Sequence, residues 1–328
     1  MIRIGLLGAS KIAPKAIIIP ARKRQDCIIT AVAARDITRA RSYAKLHEIP
    51  NFETDYIKLC QRDDIDLIYN ALPPSRHLDT TLAALKAGKA VLCEKPFAMN
   101  AEDARIMVQA DTKGLLVEGY HYRFHPAFLE FESLIQSGAI GDILHMEGHF
   151  CVPIPDRDGE LRHVKSLGGG ALMDLGCYPL HAMRTLTKLE PVIHSVQAVE
   201  GKPGIDLVMQ AALEFDHITA HLHCNMQINT QRRTEITLIG KEGTASFYDF
   251  VHPYRGFDIN LKTAKKVQRI SLDNRPNSYR EMTTYDAQIS HVLDVIADKA
   301  LPLTGGLDAI NTMITIDKIY QKSGLGIR

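Results

Sequence analysis

The sequence has almost no excess charge and no apolar run long enough to cross a bilayer. Its 39 lysines and arginines nearly balance 38 aspartates and glutamates, which leaves a net charge of +1, and no block of like charge stands out. This balance argues against a nucleic-acid groove or an anionic membrane surface. A membrane-spanning helix needs roughly 20 apolar residues, which no segment supplies. We therefore expect neither nucleic acid nor membrane as a partner.

From this sequence we expect neither disulfide-paired cysteines nor a secretory leader. The six cysteines are Cys27, Cys60, Cys93, Cys151, Cys177 and Cys224. No two of them form a C-x-x-C pair, and most lie in apolar runs. Such thiols are expected to be reduced and buried. The N-terminus enters a strand pattern at Ile2, without the basic and apolar regions of a signal peptide. These features together predict a cytoplasmic protein.

The first part of the chain alternates short apolar strands with helical segments. The predicted strands are Ile2–Leu7, Cys27–Ala34, Leu67–Ala71, Ala90–Cys93 and Leu115–Glu118. Helical patterns lie between them, which favours an α/β fold with a parallel, doubly wound sheet. We predict a Rossmann-type dinucleotide-binding domain over residues 1–122.

The pattern changes after that boundary to long alternating strands. They are predicted at Ile143–Val152, Ser195–Val199, Asp206–Phe215, Thr219–Gln227, Glu235–Ile239, Thr244–Phe250 and Ile259–Lys262. We predict a second α/β domain over residues 123–328, built on a large, open and mainly antiparallel sheet that supplies the substrate site. Met209 and Ile218 are expected on its exposed face, where a partner sheet would cover them in a homodimer or homotetramer.

A candidate phosphate loop joins the first strand to the first helix. Its residues are Gly8, Ala9, Ser10, Lys11, Ile12 and Ala13. They match G-x-G-x-x-A except that Ser10 replaces the second glycine. A tight turn and a small residue where helix meets strand are provided by Gly8 and Ala13, and the Ser10 hydroxyl could donate to a phosphate. A plain strand-to-helix turn is the alternative.

The residues after the second strand bear on the choice of cofactor. NAD-binding versions of this loop usually place an acidic residue there to hold the ribose hydroxyl. Here the strand ends on Ala34 and Arg35, and a guanidinium can bind a 2′-phosphate. We therefore predict NADP, with NAD as the alternative. Asp36 is read as the N-cap of the next helix.

Several longer motifs point to one family. They are Asn70–His77, Gly88–Pro96 with its Glu-Lys-Pro, Tyr122–Pro126, Ser137–Gly141 and Gly168–Tyr178. Together with the phosphate loop they resemble the glucose–fructose oxidoreductase / inositol dehydrogenase / MocA family over nearly the whole chain. With a tyrosine at position 178, the chain resembles the branch of the family that includes dihydrodiol dehydrogenases and sugar reductases.

The resemblance implies roles for individual residues. Lys95 and Tyr178 would be catalytic, with Tyr178 exchanging a proton and Lys95 tuning it, and Asp174 would join them in binding substrate. Further cofactor contacts would come from Ala71, Leu72, Pro73, His77, Glu94, Lys95, Arg123 and Arg162. Gly168–Gly170 would let the backbone approach the nicotinamide or substrate. A helix-capping or internal hydrogen-bond role is an equal alternative for Asp174, and His181 is expected to be structural or to support the residues that contact substrate.

The predicted activity is hydride transfer between a nicotinamide and a hydroxyl or carbonyl carbon of a sugar, polyol or cyclic diol. Two alternatives stay open: a cofactor-retaining glycosidase, and a protein that binds dinucleotide only to sense redox state. The histidine pairs His121/His125 and His145/His149 have spacing that invites a metal. No carboxylate or cysteine set matches them, so no metal site is predicted.

Overall fold

The computed structural model describes residues 1–328, which form two compact units. Unit 1 contains Met1–Tyr120 and Tyr285–Met313, and unit 2 contains His121–Thr284 and Ile314–Arg328. The first division lies close to the predicted boundary at residue 122. The chain later returns to unit 1, whereas the predicted second domain is continuous. None of the helices combines the length and apolar character that crossing a bilayer requires.

Unit 1 is built on a parallel sheet of six strands. They are β1 (Ile2–Leu7), β2 (Cys27–Ala33), β3 (Asn51–Glu53), β4 (Leu67–Asn70), β5 (Ala90–Cys93) and β6 (Leu116–Glu118). Their order is β3-β2-β1-β4-β5-β6, and every pair is parallel. The order reverses at β1, so the loops after β1 and β4 open at a topological switch point, where such folds bind ligands. The predicted Rossmann-type sheet is confirmed.

Helices alternate with these strands. They are α1 (Ile19–Arg22), α2 (Ile37–Leu46), α3 (Tyr56–Cys60), α4 (His77–Lys86) and α5 (Ala101–Ala110). A π-helical turn, Pro14–Ile18, precedes α1 where the sequence predicted one regular helix. The sequence reading also missed β3 and α3, because each is too short to show a hydrophobic period.

Unit 2 contains an eight-stranded sheet. Its strands are β7 (Ile143–Cys151), β8 (Val192–Glu200), β9 (Asp206–Phe215), β10 (Ile218–Asn225), β11 (Arg233–Gly240), β12 (Gly243–Tyr248), β13 (Asp258–Thr263) and β14 (Val267–Ser271). The order is β14-β13-β12-β11-β7-β10-β9-β8. Only β7 and β10 pair in parallel, so the predicted large, mainly antiparallel sheet is confirmed.

The remaining helices of the chain are α6 (Pro126–Gln136), α7 (Cys177–Thr187), α8 (Ser278–Glu281), α9 (Thr284–Ile296) and α10 (Gly306–Ser323). The first three lie in unit 2, α9 lies in unit 1 except for Thr284, and α10 begins in unit 1 and ends in unit 2. Helix α7 lies directly on β7, since a Cβ on Gly148 would come within 2.9 Å of Pro179 Cβ. Met209 and Ile218 are buried, at 0% and 6% exposure. Their predicted place on the exposed face is therefore wrong, because β9 and β10 turn the opposite set of side chains outward.

Candidate active site

The loop after β1 contains the first predicted cofactor residues. Gly8 has φ +93°, and a Cβ there would lie 3.2 Å from Leu72 Cδ2 and 3.4 Å from the carbonyl oxygen of Ala71. Only glycine adopts this backbone conformation without strain. The loops after β1 and β4 thus approach each other closely, and a larger residue would fill the space between them. This is the tight turn that a dinucleotide-binding loop requires.

Ser10, which stands in place of the second glycine, stabilises the loop itself. Its hydroxyl accepts a hydrogen bond from the backbone N–H of Ala13 at 3.2 Å. Ala9 and Ala13 are buried, Ile12 is half-buried, and Lys11 is exposed. A phosphate contact from Ser10 would therefore use the hydroxyl proton while its oxygen continues to accept from Ala13.

Two arginines lie near the end of β2. Arg35 is exposed and lines a pocket of about 290 Å³ together with Thr54, Asp55, Tyr56, Ile57 and Arg76. Arg39, four residues further on, donates from Nη2 to the carbonyl oxygen of Ala9 at 2.9 Å. Arg39 was not among the residues predicted from the sequence, because no motif includes it. Asp36 is the N-cap of α2, as predicted, and accepts the N–H of Arg39 at 2.7 Å.

His77 ties together the loops after β4 and β5. It is fully buried; its Nε2 lies 2.9 Å from the carbonyl oxygen of Leu72, and its Nδ1 lies 3.1 Å from those of Pro96 and Phe97. Burial lowers the pKa of His77, while the carbonyl oxygens of Leu72, Phe97 and Pro96 act in the opposite direction. Within unit 1 the residue thus positions the loop Ala71, Leu72 and Pro73 by contacts to backbone.

The Glu-Lys-Pro segment follows β5 at the carboxyl edge of the parallel sheet. Glu94 accepts a hydrogen bond from the hydroxyl of Tyr69 at 2.6 Å. Lys95 is half-buried, and the bond between Lys95 and Pro96 is cis. The lysine therefore lies at the sheet edge where doubly wound folds place ligands, as predicted from the sequence.

In unit 2, Tyr178 is buried beside a histidine. It lies in the first turn of α7 with 5% exposure, and its hydroxyl is 3.1 Å from Nε2 of His121. The other ring nitrogen of His121, Nδ1, is 2.7 Å from Thr284 Oγ1. His121 and Thr284 are also buried. From the sequence His121 is notable only for its spacing from His125, because its hydrogen-bond partners lie 57 and 163 residues away along the chain.

A second tyrosine and histidine pair lies nearby. The hydroxyl of Tyr122 is 2.5 Å from Nδ1 of His181, which is 1% exposed. The rings of Tyr122 and Tyr178 have centroids 6.0 Å apart. The hydroxyl of Tyr122 is therefore within hydrogen-bond distance of His181, whereas the hydroxyl of Tyr178 is within hydrogen-bond distance of His121.

Arg162 and Asp174 form an ion pair. Arg162 Nε lies 2.5 Å from Asp174 Oδ2, and Arg162 Nη1 lies 2.9 Å from Glu160 Oε1. The charge of Asp174 raises the pKa of Arg162. Both predicted ligand-binding residues therefore have partners within unit 2, which matches the internal role left open for Asp174. A substrate hydroxyl would have to share these groups.

Neighbouring atoms of unit 2 leave no room for a side chain at Gly169 and Gly170, which precede α7. A Cβ on Gly169 would lie 2.6 Å from the carbonyl oxygen of Arg162. A Cβ on Gly170, whose φ is +128°, would meet side-chain atoms of Asp206, Tyr320 and Arg328 at 2.1, 2.7 and 2.9 Å. The close approach expected of this segment is thus explained by packing inside unit 2, without nicotinamide or substrate.

Those neighbours form a buried ionic cluster. Arg328 Nη2 lies 2.8 Å from Asp206 Oδ1, and both side chains have 0% exposure. Asp206 also accepts the hydroxyl of Tyr320 at 2.8 Å and the backbone N–H of Leu172 at 2.7 Å. Burial raises the pKa of Asp206 to about 6, so the carboxylate is still ionised at neutral pH. Leu172 begins the π-helical turn Leu172–Gly176 that leads into α7.

Arg123, another predicted cofactor residue, pairs with α6. Its Nη1 lies 2.8 Å from Glu132 Oε2, with side-chain exposures of 12% and 13%. Its guanidinium carbon is 5.4 Å from the ring centroid of Phe128. Within unit 2 this arginine therefore stabilises the start of α6.

The outward face of β7 and β10 carries a histidine cluster around Glu147. His145 Nε2, His221 Nδ1 and His149 Nε2 lie 2.8, 3.3 and 3.4 Å from its carboxylate oxygens. Burial, aided by the charge of Arg233, lowers the pKa of His149 to about 4. No group of three or more histidine, cysteine or acidic side chains has a geometry that could hold a metal ion.

Two family models match the chain. Residues 2–118 match an oxidoreductase family with an NAD-binding Rossmann fold, and residues 128–246 match the GFO/IDH/MocA C-terminal domain. Together these segments span more than half of the chain.

Three curated relatives align with this chain over different shares of its length. A trans-1,2-dihydrobenzene-1,2-diol dehydrogenase from Xenopus laevis is 35% identical over 58% of this chain and 58% of its own length. An NADP(+) D-xylose 1-dehydrogenase from Haloferax volcanii is 28% identical over 98% of this chain and 97% of its own. A dTDP-3,4-didehydro-2,6-dideoxy-alpha-D-glucose 3-reductase from Saccharopolyspora spinosa is 36% identical over 67% of each. With its two matched domains and these relatives, the chain belongs to the GFO/IDH/MocA family of oxidoreductases.

Proposed function

We propose that this protein is an NADP-dependent dehydrogenase or reductase that acts on a CH–OH group of a sugar, polyol or cyclic diol. The observation that carries the proposal is the buried Tyr178 hydroxyl within hydrogen-bond distance of His121. A buried phenol with a basic partner is suited to exchanging a proton with a substrate hydroxyl. The named activities of the relatives, on D-xylose, a cyclic diol and a nucleotide sugar, support the same substrate class.

The nicotinamide would supply or accept the hydride. Residues Gly8 to Ala13 would hold the pyrophosphate, since Gly8 leaves room that a side chain would fill. Arg35 and Arg39 would bind the 2′-phosphate that distinguishes NADP from NAD. Ala71, Leu72 and Pro73, positioned by His77, would border the nucleotide, together with Glu94.

The proton chemistry would fall to Tyr178 and Lys95. In the oxidative direction, Tyr178 would take the proton of the substrate hydroxyl as it gives up its own proton to a base, while the carbon loses its hydride. The ammonium of Lys95 would stabilise negative charge on the reacting oxygen or on the phenol. Asp174, with Arg162, would accept hydrogen bonds from further substrate hydroxyls. Such a set of polar groups disfavours substrates that lack hydroxyls.

A cofactor-retaining glycosidase is the strongest alternative, and one preparation separates it from the proposal. The protein should be purified without added nucleotide, denatured, and its released nucleotide quantified. Sugars, polyols and aromatic diols are then screened with NADP(H) by absorbance at the nicotinamide band. We expect little retained cofactor and a net NADPH change with a hydroxylated substrate. Stoichiometric retained cofactor with cleavage of nitrophenyl glycosides would overturn the proposal.

The sensing alternative makes a different prediction. A protein that only binds dinucleotide has no need of a buried phenol with a basic partner or of a lysine at the strand edge. The alternative would be supported if NADPH binds tightly and no substrate of the three classes changes its redox state.

We further propose a cytoplasmic homodimer or homotetramer that uses the outward face of the unit 2 sheet. All six cysteines are buried and free, as predicted, and burial raises the pKa of Cys60 to about 12, which suits a reducing compartment. The outward face combines the polar groups around Glu147 with exposed apolar or aromatic side chains such as Val192, Ile239 and Tyr248, so a partner would be bound by both polar and apolar contacts. Light scattering at micromolar concentration tests this, and a monomer would contradict it.

A further inference from the structure

His121 occupies a position between two hydroxyl groups. One ring nitrogen faces the Tyr178 hydroxyl at 3.1 Å and the other faces Thr284 Oγ1 at 2.7 Å. The three residues have exposures of 5%, 2% and 0% in the order Tyr178, His121 and Thr284. Each hydrogen bond joins residues distant in sequence, so the arrangement is fixed by the fold of unit 2 and not by local geometry.

A neutral imidazole carries one proton and one lone pair, and its two neighbours decide where each lies. If Nδ1–H donates to the Thr284 hydroxyl, Nε2 is left with its lone pair directed at the Tyr178 hydroxyl. This is the arrangement of an acid–base group with its base and an orienting group behind it. Burial matters because little water reaches Tyr178 to exchange its proton.

We propose that His121 is a further acid–base residue of this enzyme, which takes the Tyr178 proton during oxidation and returns it during reduction, with Thr284 as the positioning residue that fixes its tautomer. The proposal rests on the proposed function. In oxidation the substrate hydroxyl proton passes to the Tyr178 oxygen, and the proton of Tyr178 passes to His121 Nε2. The carbon–hydrogen electron pair leaves as hydride to the oxidised nicotinamide, and a carbonyl forms. His121 is left as an imidazolium and releases its proton at the end of the turnover.

His181 provides a matched comparison for this assignment. It too is a buried histidine within hydrogen-bond distance of a tyrosine hydroxyl, but its partner is Tyr122. If His121 had only a structural role, we would expect its replacement to affect turnover about as much as replacement of His181. His252 is the other titratable ring near His121, with centroids 5.4 Å apart, so its protonation has to be followed as well.

The kinetic test compares His121→Gln with His181→Gln. Glutamine at 121 keeps a hydrogen-bond partner for Tyr178 but cannot take up a proton. We expect turnover to fall by about 10²-fold or more, in the range of acid–base catalysis, with KM and NADPH affinity nearly unchanged. The acid limb of the oxidative kcat profile should disappear in His121→Gln and persist in His181→Gln and His252→Gln. Retention of both turnover and the acid limb in His121→Gln would overturn the proposal.

A second measurement does not depend on any substrate. Nitrogen-15 NMR of histidine-labelled protein reports which ring nitrogen carries the proton. We expect His121 to be the Nδ1–H tautomer, and its Nε2 signal to shift in Tyr178→Phe, while the His181 signals do not move. An Nε2–H tautomer, or no response to Tyr178→Phe, would overturn the proposal even if the protein oxidises its substrate as proposed. A wild-type protein without hydride transfer would instead count against the proposed function.

Discussion

The candidate cofactor-binding groups of unit 1 and the candidate acid–base groups of unit 2 differ in how the chain presents them. In unit 1 the groups are backbone loops and exposed side chains at the edge of a parallel sheet, as at Gly8 and Arg35. In unit 2 they are buried side chains held by hydrogen bonds, as at Tyr178 and His121. A loop motif can be recognised in a sequence because its residues are consecutive. A buried hydrogen-bond network joins residues that only the fold brings together.

The two sheets differ in a related way. In the unit 1 sheet, β4 and β5 are buried at every residue, so a ligand could meet only their ends. The unit 2 sheet packs helices on one face and presents polar side chains on the other, including the histidines around Glu147. The acid–base groups proposed for unit 2, such as Tyr178 and His121, are buried side chains and do not lie on this polar face.

The largest expected effect is a loss of turnover without a loss of NADPH affinity. Tyr178→Phe should lower turnover by about 10²- to 10⁴-fold, because the phenol oxygen can no longer exchange a proton. NADPH affinity should be retained. Lys95→Ala should lower turnover by a similar factor. Steady-state kinetics with a nucleotide titration for each variant checks this, and a Tyr178→Phe enzyme that keeps most of its turnover would rule out the assignment.

The next largest effect is on stability and concerns the buried pair of unit 2. Arg328→Gln leaves the Asp206 carboxylate buried without its charged partner, which typically costs about 3–5 kcal/mol in the free energy of unfolding. The matched control is Arg3→Gln in unit 1, where the pair with Asp66 is partly exposed at 39% and 33% and a far smaller change is expected. Urea unfolding measures both, and equal losses would contradict the distinction.

A smaller effect concerns nucleotide selection in unit 1. Arg35→Ala removes a charge that would pair with the 2′-phosphate, so NADPH should bind about tenfold more weakly while NADH is barely affected. Arg39→Ala should act in the same direction and also loosen the loop through its lost bond to Ala9. Fluorescence titration of both nucleotides checks this. A wild-type protein that binds NADH as tightly as NADPH would show that these arginines do not select the cofactor.

The smallest expected effect is a pH dependence of unit 2. Burial lowers the pKa of His149 from its usual 6.5 to about 4 in the folded protein, so the unfolded chain binds the proton more readily. Stability contributed by the neutral ring is therefore complete above pH 6.5 and is lost as the pH falls towards 4. His149→Gln should flatten this part of the stability profile. The exposed His217 is the control, and an unchanged slope in His149→Gln would contradict the effect.

The fold was largely predictable from the sequence, because strand alternation and apolar runs are local signals. The errors have physical causes. Met209 and Ile218 were assigned to the wrong face because alternation shows two faces without showing which one the helices cover. The residues that lead into α7 form a π-helical turn, Leu172–Gly176, which a 3.6-residue period does not reveal.

The candidate site was predictable only where its residues are consecutive. Gly8, Lys95 and Tyr178 belong to local motifs, whereas His121 and Thr284 are separated by 163 residues and meet only in the folded chain. Gly169 and Gly170 show the same limit. A run of glycines signals a close approach, but the neighbours turned out to be Arg162 and the Asp206 cluster.

The most direct test of the central claim is isotopic. NADPH deuterated at C4 of the nicotinamide should be incubated with the protein and the carbonyl form of the substrate found in the screen, and the product examined by NMR. The account predicts that deuterium is bound to the carbinol carbon of the product, from one face of the nicotinamide only, and that Tyr178→Phe slows the transfer without changing where the label goes. Product formation with no deuterium on that carbon would contradict hydride transfer as the activity of this protein.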